Sequence, residues 1–317
     1  MTGSDQTGRV HADSPALAAL ITPGTRVERL AEGFTWTEGP VWVRGGGYLL
    51  FSDVPENRMY RWSEADGVSV FLDPSGHDGP DPSGFREPGS NGLVPGPPGT
   101  ILMCDHGNRA VARLDLETRR KTFLATHYNG RRFNSPNDLV LASDGSIWFT
   151  DPPYGLEGLN ASPLKEQPVN GVYRLHPDGR VELVVSDMTF PNGILFSPDE
   201  RTLYVANSDP EHSVVRAFAI DETGMIGSHE VFADLTPLVG PELPGLPDGM
   251  AVDKAGNVFV TGPGGVYIFS PGGARLGRID TGTAIANCAF GEDGRTLFLA
   301  SSNMLARIRT RTRGLGY

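Results

Sequence analysis

Six polar residues recur at the same point of a repeated segment in this 317-residue chain: Glu38, Asn91, Asn137, Asn192, Asp248 and Asn287. Two carboxylates and four carboxamides, with no thiolate or imidazole among them, offer hard oxygen ligands suited to Ca²⁺ and, in tighter geometry, to Mg²⁺ or Mn²⁺. Zn²⁺ favours nitrogen or sulfur and is the remaining alternative. The same ring could instead be structural, its amides bonded to one another around buried water. Bringing Glu38 and Asp248 together without a cation is costly, through desolvation and mutual repulsion, and that weighs toward the ion.

For these residues to converge, the segments that carry them must be related by rotation. Each of the six introduces a short apolar stretch, a turn at Gly or Asp, and an alternating strand. The third unit is the clearest: Asn137-Asp-Leu-Val-Leu, the turn Asp144-Gly145, then Ser146-Ile-Trp-Phe-Thr-Asp151. The openers lie 39 to 56 residues apart, and most units continue into two further short strands, such as Arg58–Trp62 and Val68–Leu72. This period fits a four-stranded blade with insertions. We therefore expect an all-β chain, a six-bladed β-propeller of four-stranded antiparallel blades, with residues 25–317 as a single domain. Residues 1–24 read as a partly flexible tail with a short helix at Pro15 to Leu20. Thr25 to Leu30 is the strand expected to close the ring against Leu305 to Thr310. Trp42, Trp148 and Phe149 are expected to pack between blades.

Composition narrows the function classes. With 41 Gly and 26 Pro beside 38% hydrophobic residues, the chain suits many short strands and tight turns and is too apolar to be disordered. Acidic groups outnumber basic ones, 38 to 27, for a net charge of −11, which argues against nucleic acid as a partner. Cys104 and Cys288 are far apart and suggest two buried thiols rather than a disulfide or zinc site. No apolar run is long enough to cross a bilayer. The opening Met1-Thr-Gly-Ser-Asp-Gln lacks the features of a signal peptide, so the default location is cytoplasmic, or periplasmic if an export signal was removed. No Gly-x-Ser-x-Gly elbow, His-Glu-x-x-His or phosphate-binding Gly-Lys-Ser/Thr occurs.

The long connections, Pro74 to Ser90, Thr126 to Pro136, Pro152 to Asn170 and Asp234 to Pro247, all fall on the blade face opposite the short first-to-second-strand turns. That face is the expected ligand entrance. The segments Trp36-Thr-Glu-Gly-Pro-Val-Trp42, His106-Gly-Asn-Arg109, Ser135-Pro-Asn-Asp-Leu139, Thr150-Asp-Pro-Pro-Tyr154, Pro191-Asn-Gly193 and Pro247-Asp-Gly-Met250 together resemble the senescence-marker-protein/gluconolactonase/luciferin-regenerating-enzyme family, over roughly residues 27 to 310. The resemblance implies a six-bladed propeller with one divalent cation, usually Ca²⁺, held by Glu38, Asn137, Asn192 and Asp248. Asn91 and Asn287 are left as supporting or substrate contacts. An alternative register would make Asn134 the ligand in place of Asn137.

The activity implied is hydrolysis of a small sugar lactone by a monomer or dimer, with the cation polarising the carbonyl. Asp248 is the expected general base and a cation-activated hydroxide the alternative, because ligation lowers a carboxylate's basicity. Asn91, His106, Arg132 and Asn134 are the candidate substrate contacts. His106 could equally hold a neighbouring turn, and Arg132 could be half of a surface ion pair. Two further readings remain, a phosphotriesterase or aryl-ester lactonase on the same site, and a non-catalytic ligand-binding propeller with a structural metal.

Overall fold

A computed structural model describes residues 5–317. Six antiparallel sheets follow one another along the chain. The first blade is Thr37–Val43, Tyr48–Asp53, Arg58–Ser63 and Gly67–Leu72. The second runs from Ser90–Pro95 to Lys121–Ala125, the third from Leu139–Leu141 to Val181–Val185, and the fourth from Pro191–Phe196 to Ile226–Asp234. The fifth starts with Met250–Val252 and reaches Arg275–Asp280, and the sixth starts with Asn287–Gly291. Each first strand packs beside the first strands of the two neighbouring blades, and the sixth meets the first. The ring is closed, as expected of a six-bladed propeller.

The expected closure is present with a small shift: Glu28–Glu32 pairs with Met304–Arg309 and supplies the outer strand of the last blade. The segment read as a tail behaves differently. Arg9–Ala12 adds an antiparallel strand to the edge of blade five, Asp5–Gln6 adds one to blade six, and Pro15–Ala19 forms a 3₁₀ turn whose Leu17 is buried in the core. Edge strands with unpaired main-chain groups recruit such pairing readily. The remainder of the tail, residues 1–4, lies outside the described residues. None of the described helices is long and apolar enough to cross a membrane.

The strands alternate as the sequence suggests, yet most are buried on both faces, because each blade lies between two others. The apolar side chains form six clusters, one at each seam; Val41, Leu50 and Met59 meet Leu93 and Met103 between blades one and two, for example. The final seam carries Phe298 against Leu49, Phe51 and Trp62, with Trp42 stacked on Phe298 at 5.6 Å. Trp148 meets Phe196 edge-on at 5.5 Å across the seam between blades three and four. Aromatic pairs of this kind add about 0.5–1.5 kcal/mol beyond area burial.

Candidate active site

Three features of the repeat set the six opener residues in place. The residue ending the second strand reaches back to clamp the segment before the opener: Asp53 accepts from the main-chain N–H groups of Thr35 and Trp36, Asp151 from that of Asn134, and Asn207 from that of Phe190. A hydroxyl on the second strand then donates to an opener carbonyl of the following blade, from Ser52 to Asn91 at 3.1 Å and from Thr150 to Asn192 at 2.8 Å. Finally, glycine follows the opener in four of six blades because neighbouring first strands nearly touch. A Cβ on Gly39, whose φ is +50°, would lie 2.1 Å from the Asn91 carbonyl oxygen, and one on Gly193 equally close to that of Asp248. Only glycine tolerates such an approach.

The result is a cavity of about 360 Å³ at the mouth of the central channel, a size suited to a small ligand. Glu38, Asn91, Asn137, Asn192 and Asp248 line it. Asn287 does not: it lies just beneath, donating from Nδ2 to Glu38 Oε2 at 3.2 Å and accepting the Cys288 N–H on Oδ1 at 2.8 Å. Both ends of its amide are therefore used.

The electrostatics of the mouth are set by burial and crowding. Glu38 is pushed up to about 8, by burial first and then by the carboxylate of Asp138. Asp248 is driven well above the usual carboxylate range by burial and then by Glu38. Asp138 sits where four other blades have glycine, or cysteine in the sixth; it accepts the Leu139 N–H at 2.9 Å and is itself pushed up to about 7 by burial. Without a counter-charge the two mouth carboxylates cannot both ionise cheaply.

The carboxamides are oriented as oxygen donors. Asn192 gives its Nδ2 to Ser208 Oγ at 3.0 Å, and Ser208 in turn donates to the Pro247 carbonyl; the Asn192 Oδ1 is thus left for the cavity. Asn137 makes no side-chain hydrogen bond with any described residue. Glu38 Oε2 accepts from Gly39 N–H and Asn287, which leaves Oε1 free. Among the described residues no group of three or more His, Cys, Asp or Glu is gathered as for a transition metal. A cation here would rely on amide oxygens, as hard ions do.

The candidate substrate contacts separate. Asn91 lines the cavity. His106 is wholly buried behind it, with Nε2 3.3 Å from Asn91 Nδ2 and Nδ1 3.6 Å from Glu87 Oε2. Arg132 does not reach the cavity. It belongs to a small hairpin of His127–Tyr128 with Arg131–Arg132, and its guanidinium donates to the Asn108 carbonyl while its N–H meets Glu166. Asn134 is fully buried and gives its amide to the carbonyls of Asp151 and Val169, at 2.8 and 3.0 Å. Both carry the loop before the third blade rather than the cavity wall, because the Asp151 clamp turns that loop away from the channel.

Sequence reasoning missed Glu87, Arg86, Trp36, Tyr154 and Leu246, which also line the cavity. Arg86, Glu87, Tyr154 and Leu246 lie in three of the long connections assigned to the entrance face, and Trp36 precedes the first opener. They are outside the repeat, so no periodicity could single them out.

The family described as "SMP-30/Gluconolactonase/LRE-like region" matches residues 36–303. A gluconolactonase from Zymomonas mobilis is 46% identical over 311 residues, covering 97% of this chain and 87% of that protein. A pentonolactonase from Haloferax volcanii is 29% identical, over 80% of this chain and 77% of its own length. Among solved structures, a gluconolactonase from Xanthomonas campestris superposes with a TM-score of 0.81 at 33% identity, covering 97% of this chain and 96% of the other. With its closed ring of six blades and five of the six opener residues at one channel mouth, the chain belongs to the SMP-30/gluconolactonase/LRE-like family.

Proposed function

We propose that this protein is a hydrolase opening the lactone of a sugar acid, with one divalent cation, Ca²⁺ foremost, held by Glu38, Asn137, Asn192 and Asp248. One observation carries the reading: Glu38 and Asp248, from the first and fifth blades, line one small cavity, where burial raises both and the Glu38 carboxylate raises Asp248 further. The donor set fits the ion, since two carboxylates and two amide oxygens supply charge and hard ligation where the protein alone leaves charge uncompensated. The gluconolactonase and pentonolactonase relatives support lactones as the substrate class.

When bound, the cation supplies positive charge to the lactone carbonyl oxygen, where negative charge develops during attack. Asn137 and Asn192 would help to hold the ion through their amide oxygens. Asp248 holds the attacking water and takes its proton as the water oxygen bonds to the carbonyl carbon. The ring ester C–O bond then breaks as Asp248 returns that proton to the ring oxygen, which becomes the hydroxyl of the open acid. Trp36, Tyr154 and Leu246 flank the cavity and give it an apolar side.

The test is acid release from δ-gluconolactone by the protein before and after EDTA, with Ca²⁺, Mg²⁺, Mn²⁺ or Zn²⁺ restored singly. Activity is expected to disappear with EDTA and return with Ca²⁺. No hydrolysis with any of the four would overturn the reading, and faster turnover of an aryl phosphotriester such as paraoxon would reassign it.

A further inference from the structure

A third carboxylate in the cavity wall has no part in the mechanism above. Glu87 lies in the long connection after the first blade, and its neighbours hold it firmly. The N–H groups of Arg86 and Glu87 both donate to the Gly155 carbonyl, at 3.0 and 3.3 Å, and Glu157 N–H donates to Gly84 at 3.0 Å. Two entrance loops are thereby zipped together. Gly155 fits because the pair presses on His106; a Cβ there would lie 2.8 Å from the imidazole Cβ and Cγ.

His106 explains the direction of the Glu87 side chain. The imidazole is fully buried, and burial pushes its pKa down to about 3, so it is neutral. Asn91 Nδ2 can only donate, so His106 Nε2 accepts, and the ring proton sits on Nδ1. That N–H makes no hydrogen bond of normal geometry; it is turned toward Glu87, approaching its main chain and lying 3.6 Å from Oε2. Arg86 Nη2 approaches the other oxygen at 3.2 Å. Glu87 accepts no side-chain hydrogen bond of normal geometry from any described residue, although its side chain is only 13% exposed. Asn91, having given Nδ2 to His106, is left with an unused Oδ1. The cavity wall thus presents two acceptors that accept no side-chain hydrogen bond, Asn91 Oδ1 and the Glu87 carboxyl, the latter contacted by Arg86 and linked to Asn91 through one imidazole.

Acceptors in that state call for donors on the ligand. We propose that Glu87, positioned by His106 and acting beside Asn91, reads hydroxyl groups on the substrate ring and selects polyhydroxylated lactones over bare ones. The inference deepens the lactonase reading and rests on it for the reaction. A ring without hydroxyls would leave the buried Glu87 carboxyl with only its Arg86 ion pair and no hydrogen bond, and sites built to bond a substrate hydroxyl reject the analogue lacking it far more strongly than apolar pockets discriminate size.

The experiment compares δ-gluconolactone with δ-valerolactone, which has the same ring and ester without hydroxyls, for the wild type, Glu87→Gln and Glu87→Leu with Ca²⁺. The wild type is expected to prefer the hydroxylated lactone by about 100-fold or more in kcat/KM. Glu87→Leu should lose most of that preference, with δ-valerolactone turnover within about threefold of wild type, and Glu87→Gln should fall between, since its amide oxygen still accepts. Calorimetric titration with the slowly hydrolysed δ-gluconolactam and with δ-valerolactam reads the same contrast without turnover. Absence of hydrolysis by the wild type would therefore count against the lactonase reading while the lactam arm still decides Glu87. Equal losses on both rings would assign Glu87 to proton transfer or to folding, and no loss on either would remove it from the site; either result overturns the proposal. Thermal melting checks that the variants fold.

Discussion

The Asn287 carboxamide donates to Glu38 Oε2 at 3.2 Å across the junction between the last blade and the first. The bond holds a mouth carboxylate from below, and the Cys288 N–H fixes the amide that makes it. Chain closure and site assembly are thus one event, since the two residues are 249 positions apart in sequence. Partners of ligands usually matter almost as much as the ligands. Asn287→Ala is expected to weaken Ca²⁺ binding by about 10- to 100-fold, measured by calorimetric titration. Unchanged affinity would mean that Glu38 is oriented without it.

The glycine beside Asp248 reports on the same contact. A Cβ at Gly249 would lie 2.0 Å from Asn287 Cγ, so Gly249→Ala must push the carboxamide off Glu38. We expect a loss of about 1–3 kcal/mol in stability from overpacking and a drop in Ca²⁺ affinity that is not additive with Asn287→Ala. A double-mutant cycle on binding measures this, and full additivity would uncouple the two sites.

The pH dependence follows from the raised carboxyls. Glu38 goes from 4.5 to about 8 on folding and Asp248 also rises, so the folded state binds these protons more tightly than the unfolded chain. Their contribution to stability in the metal-free protein is complete below about pH 4.5 and is lost as pH climbs through about 8. In EDTA the melting temperature should fall across that window, and Glu38→Gln should flatten the fall. Ca²⁺ should raise the melting temperature most at the alkaline end, releasing protons as it binds. A Ca²⁺ effect that is the same at pH 5 and pH 8 would contradict this account.

Replacing Asp248 separates stability from function. Asp248→Asn removes a crowded buried charge, so the metal-free protein should be as stable as wild type or more so at pH 8. Hydrolysis should fall by at least about 100-fold, through loss of the base and of a charged ligand. Differential melting with a lactone assay checks both signs, and retained activity would place the base elsewhere.

Toward the far end of the channel, Tyr317 packs under the ring by two contacts and is expected to act on stability alone. Tyr317 donates its hydroxyl to the Phe290 carbonyl at 2.6 Å, and the Arg44 guanidinium lies 3.9 Å over its ring. Tyr317→Phe should cost about 1 kcal/mol and Tyr317→Ala more, with lactone turnover unaltered. A change in KM for either would show that this end communicates with the mouth.

Much of this protein was legible in its sequence because a propeller repeats one supersecondary unit, so opener, turn and strand-ending Asp or Asn return in register. That repetition determined the blade count, the strand that closes the ring, the face that carries the long loops, and the placement of Glu38, Asn91, Asn137, Asn192 and Asp248 around one mouth. Tertiary structure decided what repetition cannot encode. It lowered Asn287 beneath the mouth to hold Glu38, turned Arg132 and Asn134 away, buried His106 behind the wall, and wove the first strands of the chain into blades five and six. It also brought Glu87 to the cavity, through loop pairing with Gly155. Rotational symmetry fixes where equivalent backbones go, whereas the direction of each side chain depends on whichever loop happens to pack against it.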